Sequence, residues 1–202
     1  MIIKLCGMRD AENIKEADAL GLDWMGFIFY PRSPRYVESV PDYMPVQAKR
    51  VGVFVNEDYD TIIDKVSDFG LHYVQLHGSE SPELCRRLRS SGVKVIKAFS
   101  VGNTFPADEV KLYEGSCDYF LFDTQTDSYG GSGQQFNWQV LKDHRGETPF
   151  LLSGGIGLSD AEELLRFEHP RLSGIDINSR FETAPALKDI TLIEQFIKQI
   201  KQ

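Results

Sequence analysis

Six positions in this chain carry groups that could do chemistry, and each stands at the end of a short apolar run: Cys6, Arg35, His77, Asp123, Gly154-Gly155 and Asn178-Ser179-Arg180. Cys6 is followed by a glycine. A thiol has a reference pKa of about 8.5, so a modest depression would make it a usable base near neutrality. A buried, inert thiol is the commoner fate of cysteine, and that is the expectation for Cys85 and Cys117. Asp123 follows Tyr119–Phe122, a run that would leave its carboxyl half-buried, and a desolvated, protonated carboxyl can donate a proton. The competing use is a turn aspartate bonded to its own loop. Asp127 lies within that loop and is read as facing solvent. Arg35, in Ser33-Pro34-Arg35-Tyr36, could grip a planar carboxylate through two parallel hydrogen bonds, whereas Arg32 reads as a solvated loop residue. His77 could act as acid or base but ranks below Cys6 and Asp123, because a histidine there is often just packed.

Elements must hold these groups together. The apolar runs are Ile2–Cys6, Trp24–Phe29, Val51–Val55, Tyr73–Leu76, Val93–Phe99, Tyr119–Phe122, Phe150–Leu152 and Gly174–Ile177, with amphipathic segments between most of them. Helix ends are marked by Asp10 and Gly21, by Asn56 and Gly70, by Ser81-Pro82, and by Ser159 with Glu162 as a capping box. A last helix is expected from Leu187 to Lys201. The stretch after the second run, with Pro41 and Pro45, cannot be a regular helix. Nearly continuous apolar strands want helices on the outside. Eight such repeats predict a (β/α)8 barrel, with residues 1–202 forming one domain. An open doubly wound sheet is the rival, yet CGMRD stands after the first strand where a GxGxxG would be needed.

In a barrel, chemistry sits at the C-terminal ends of the strands, and the seventh and eighth loops commonly hold phosphate. Ser153-Gly154-Gly155-Ile156-Gly157 and Asn178-Ser179-Arg180 fill those places. Glycines there allow close backbone approach, so N–H groups can meet an anion with few cationic side chains. A tight turn is the plainer alternative for Gly154-Gly155. Gly130-Gly131-Ser132-Gly133, after Asp123, suits a lid or a close approach to ligand.

Composition narrows the classes. With 22 Lys and Arg against 30 Asp and Glu, the net charge is −8, which argues against nucleic acid or an anionic membrane as partner. No apolar run suits a membrane span, the N-terminus does not read as a secretory signal, and the 3 cysteines follow no zinc spacing. A cytoplasmic protein without metal is expected.

Lys4-Leu5-Cys6-Gly7-Met8, Gly26–Phe29 with Ser33–Val37, Val51–Val55, Val74–Gly78, Phe122-Asp123, Gly130–Gly133 with Phe136–Trp138, Ser153–Ile156 and Gly174–Asp176 follow one another in register. In this order they resemble the phosphoribosylanthranilate isomerase family of tryptophan biosynthesis, along the chain from about residue 2 to 200. The resemblance implies a (β/α)8 fold and a cofactor-free Amadori rearrangement of N-(5'-phosphoribosyl)anthranilate to 1-(2-carboxyphenylamino)-1-deoxyribulose 5-phosphate. It implies Cys6 as general base, Asp123 as general acid and Arg35 on the anthranilate carboxylate. Phosphate then falls to Gly154, Gly155, Asn178, Ser179 and Arg180. The expected partner is the small-molecule substrate, with the protein a monomer or homodimer. One departure stands out: the family's Ser-Gly-Val-Glu reads Ser179-Arg180-Phe181-Glu182 here. That substitution puts a left-handed backbone in doubt and suggests that Arg180 supplements the phosphate grip.

Other barrels acting on phosphosugars are the alternatives. An indole-glycerol-phosphate synthase would need catalytic lysines at strand ends, whereas Lys4 and Lys97 lie within strands. A pentose-phosphate epimerase would need metal-binding histidines, of which only His77 ends a strand. A non-catalytic phosphosugar-binding barrel could keep the glycine loops without needing Cys6 or Asp123.

Overall fold

Eight parallel strands close on themselves in the computed structural model, which describes residues 1–125 and 136–201. They are β1 (Ile2–Cys6), β2 (Trp24–Ile28), β3 (Lys49–Phe54), β4 (Tyr73–Leu76), β5 (Lys94–Val101), β6 (Tyr119–Thr124), β7 (Phe150–Leu152) and β8 (Leu172–Ile177). Each pairs with the next, and β1 closes the ring on β8 with Lys4 opposite Asp176. All eight expected runs are strands, with ends shifted by at most two residues. The glycine-rich stretch Gly130–Gly133 and Asp127 lie outside the described residues.

Helices α1 (Ala11–Asp18), α2 (Tyr59–Phe69), α3 (Pro82–Ser90), α4 (Ala107–Lys111), α5 (Ala161–Arg166) and α6 (Ile190–Ile200) lie between or after the strands. Asp10 and Ser81 cap α1 and α3, each accepting a backbone N–H three residues on, and Gly70 ends α2 in a left-handed conformation. Three boundary readings are overturned. Asp58, not Asn56, caps α2, because the Asn56 side chain accepts from the Ser79 N–H at 2.7 Å instead. Ser159 lies inside a 3₁₀ turn, Leu158–Asp160, where Asp160 accepts from the Gly157 N–H, so no Ser159–Glu162 box forms. The last helix starts after Asp189, since Leu187–Lys188 forms a short strand (β10) paired with Glu182–Ala184 (β9).

The stretch between β2 and β3 has no helix, as its prolines require. A buried carboxylate organises it instead. Asp18 accepts from the N–H groups of Val46 (2.8 Å), Gln47 (3.2 Å) and Ala48 (2.9 Å), and from the Tyr43 hydroxyl (3.1 Å). Burial pushes the Asp18 pKa up, but these donors outweigh it and hold the group below its ordinary value. A depressed folded pKa contributes stability above the unfolded value of about 3.9, and that contribution is lost as pH falls through the folded pKa. Asp18→Ala is therefore expected to cost about 2–3 kcal/mol at neutral pH, because it strands the donors that lead into β3. Thermal unfolding should show the difference narrowing in acid; an unchanged neutral midpoint refutes it.

Side-chain parity then divides the strands. Outward residues such as Ile3, Phe27, Phe120 and Ile175 pack into the large shell beneath the helices, while Trp24, Val51, Ile96, Leu121 and Leu151 fill the barrel floor. Above that floor the inward positions become polar. Among the described residues no helix is long and apolar enough to cross a membrane.

Candidate active site

A single period-two register delivers most of the site. Counting inward positions towards each C-terminal end gives Lys4 and Cys6 on β1, Gln75 and then His77 from β4, Leu121 and Asp123 on β6, and Asp176 and then Asn178 from β8. Cys6, Arg35, Gln75, His77, Asp123, Gly154, Gly155, Asp176, Asn178 and Ser179 all line one cavity at this mouth. The two groups read from the sequence as base and acid therefore share a cavity. Gly26, inward on β2, makes room for the thiol: a Cβ there would lie 2.8 Å from Cys6 Sγ.

Asp123 is 18% exposed, and its Oδ1 accepts from the Thr124 N–H at 2.8 Å. His77 Nε2 lies 3.4 Å from Asp123 Oδ2. Gln75 Nε2 lies 2.9 Å from His77 Nδ1. Gln75 and Asp123 thus flank the two ring nitrogens of His77. The sequence ranked His77 third; the fold makes it the neighbour of the carboxyl.

Cys6 departs from expectation. Burial pushes its thiol up rather than down, and the nearby Asp176 charge adds to this, against the opposing pull of Lys4 and Lys188. Lys4 is fully buried and bonds Asp176 Oδ1 at 2.9 Å. Cys85 and Cys117 are buried away from the cavity, as expected of packed thiols.

Arg35 is at the mouth but already engaged. Its Nε and Nη2 donate to the Glu182 carboxylate at 2.8 and 2.6 Å, and Lys188 Nζ reaches the same carboxylate at 2.7 Å. Among the described residues Nη1 donates to no protein acceptor, which leaves the Nη1/Nη2 edge of the guanidinium to meet a ligand carboxylate. Glu182 sits below its ordinary pKa: burial raises it, but Arg35 and Lys188 outweigh that.

The two glycine positions behave as an anion-binding turn requires. Gly154 and Gly155 have φ of +96° and +66°, and Ser179 opens a 3₁₀ turn, Ser179–Phe181, after Asn178. Arg180 does not join them. It is exposed and lies beside Gly157, in a groove with Leu158 and Ser159 outside the mouth cavity. Its backbone has no positive φ, so arginine is tolerated where the family motif has glycine. A Cβ on Gly154 would come 2.1 Å from Thr124 Oγ1 and 2.7 Å from its backbone nitrogen. Gly154→Ala is expected to lower kcat/KM about tenfold to a hundredfold, the loss appearing mainly in KM, since strain of this kind costs about 1–3 kcal/mol. Unchanged steady-state constants would show that the turn is not used.

Residues 3–199 match the family model described as N-(5'phosphoribosyl)anthranilate (PRA) isomerase. The chain belongs to this family. An N-(5'-phosphoribosyl)anthranilate isomerase of Phocaeicola vulgatus is 54% identical over 202 residues, covering 100% of this chain and 98% of that protein. One from Thermotoga neapolitana is 37% identical, with 98% of each chain covered. The phosphoribosyl anthranilate isomerase structure from Thermotoga maritima superposes with a TM-score of 0.86 at 34% identity, over 100% of this chain and 99% of that one. Another isomerase structure, in complex with reduced 1-(o-carboxyphenylamino)-1-deoxyribulose 5-phosphate, gives 0.82 at 32% identity, again over 100% and 99%.

Some neighbours of the candidate site residues escaped the sequence. Lys4 was read only as a strand residue, although it shares the inward parity of Cys6. Glu182 and Lys188 were given no role, because nothing local marks them as partners of Arg35. Lys97, the other strand lysine, faces away from the cavity, with Nζ donating to Gly78 O at 2.6 Å and bonding Glu80 at 3.2 Å.

Proposed function

We propose that Cys6 and Asp123 are the general base and general acid with which this family member carries out the Amadori rearrangement of N-(5'-phosphoribosyl)anthranilate. The observation that carries the assignment is their joint placement on the wall of one cavity, with Arg35 and the Gly154-Gly155 turn beside them. Asp123 gives its proton to the furanose ring oxygen as the C1'–O bond breaks, leaving a protonated Schiff base. Cys6 takes the proton from C2', the electron pair forms the enolamine, and tautomerisation gives the 2-ketone, 1-(2-carboxyphenylamino)-1-deoxyribulose 5-phosphate. No atom or electron is gained or lost, so the residues need only move protons and hold the two ends of the substrate.

Arg35 holds the anthranilate carboxylate through the guanidinium edge that Glu182 leaves open. The backbone at Gly154, Gly155 and Ser179, with Asn178, takes the phosphate. Three free, buried thiols suit the reducing cytoplasm. The anthraniloyl fluorescence of the substrate supplies the assay. Purified protein is expected to abolish it catalytically; substrate that stays fluorescent at stoichiometric enzyme overturns the reading.

A further inference from the structure

An apolar side chain would fill the centre of the barrel at less desolvation cost than the ammonium of Lys4, which is fully buried. Its partner, Asp176, is 6% exposed and directly opposite in the β1–β8 register, so the strands themselves fix the 2.9 Å ion pair. Two residues along β1, on the same inward face, comes Cys6. Isolated buried pairs of this kind contribute little net stability. What the pair does have is an ionisable neighbour.

The charges around the thiol can be summed. Lys4 of β1, Asp176 of β8, Lys188 of β10 and Arg35 after β2 all act on it, and Glu182 of β9 bridges Arg35 and Lys188. Asp123 and His77 line the same cavity from β6 and the end of β4. Glu182 is bonded to two cations, and Asp176 to one. The groups nearest the thiol are thus Lys4, Lys188 and Arg35 against Asp176 and Glu182, and Lys4 is the cation on the thiol's own strand.

We infer that Lys4 is a positioning residue for Cys6, a buried cation that stabilises its thiolate, with Asp176 fixing Lys4 in place and moderating its effect. The inference rests on the reading of Cys6 as the base only for its consequence in turnover. The stabilisation itself is a property of the thiol and can be measured without substrate. A structural role for the pair would make loss of either member act in the same direction; an electrostatic role makes the two losses act in opposite directions.

The test is the rate of Cys6 alkylation by iodoacetamide, read by mass spectrometry of the Cys6 peptide from neutral to strongly alkaline pH. Lys4→Met is expected to move the alkylation midpoint to higher pH, slowing the reaction about tenfold or more below it, since each unit of pKa is tenfold in thiolate. Asp176→Asn is expected to move the midpoint to lower pH, and Lys4→Arg to keep it near the wild-type position. Unmodified Cys85 and Cys117 report that the barrel is intact. Where Lys4→Met exposes them, the double variant Lys4→Met/Asp176→Asn, which leaves no buried charge unpaired, decides the point and should alkylate more slowly than Asp176→Asn alone. Midpoints that do not move, or that move the same way in both single variants, overturn the inference. The pH limb of kcat/KM then tests the other reading separately. A Lys4→Met shift seen in alkylation but absent from kcat/KM upholds the charge effect and removes Cys6 from the role of base.

Discussion

Asp123→Asn is expected to lower kcat about 10²- to 10⁴-fold while KM changes little, the range typical of losing one positioned acid. The amide keeps the shape of the carboxyl and can still accept from the Thr124 N–H, which in the wild type meets Oδ1 at 2.8 Å. What it lacks is an acidic O–H. Ring opening needs that proton, because an alkoxide is a poor leaving group from C1', whereas a neutral hydroxyl departs readily. The imidazole of His77 lies 3.4 Å from Oδ2 and is itself held by Gln75. Single-turnover measurement of fluorescence decay separates chemistry from product release. A variant that opens and isomerises the substrate at the wild-type rate excludes Asp123 as the acid and shifts attention to its neighbours in the cavity.

How much of this was legible in the sequence depended on the range of the interaction. The strands were, because an apolar run flanked by turn residues is a local signal and the barrel follows from repeating it. The caps at Asp10 and Ser81 were legible for the same reason. Asn56 misled because a short polar side chain can cap a helix or tie two loops, and only the position of Ser79 decides between them. Arg35 does line the mouth cavity, but its partner Glu182 is 147 residues away, and no spacing rule reaches that far. Lys4 lay within reach of sequence reasoning, since strand parity from Cys6 puts it on the same face. Its place inside a strand, rather than at the strand end where barrel chemistry sits, gives it no role by that rule. Arg180 is the converse case: a cation next to a glycine turn invites a binding role, and only the fold shows that it lies beside Gly157 rather than among the residues lining the mouth cavity.

The thiol gives the last expected result, and its sign follows from burial. The base must be deprotonated to act, and the surroundings of Cys6 raise its pKa above the ordinary thiol value, burial being the largest cause. For as long as the acid keeps its proton, kcat/KM is therefore expected to climb with pH about tenfold per unit, with no levelling from the thiol itself below about pH 8.5. The thiolate fraction present at neutral pH is small, but each thiolate is a correspondingly stronger base, so the site trades occupancy against proton affinity. Cys6→Ala should lower kcat about 10²- to 10⁴-fold and abolish this limb, because among the described residues no other β1 side chain lines the cavity. Cys6→Ser should behave like alanine: a hydroxyl fills the space opposite Gly26 but does not ionise in this range. Steady-state rates across pH distinguish the possibilities. A plateau at neutral pH that moves in Lys4→Met would mean that the cations around Cys6 outweigh its burial, and one that does not move would mean that the acid has lost its proton there. A limb that survives Cys6→Ala would mean that a different group takes the C2' proton.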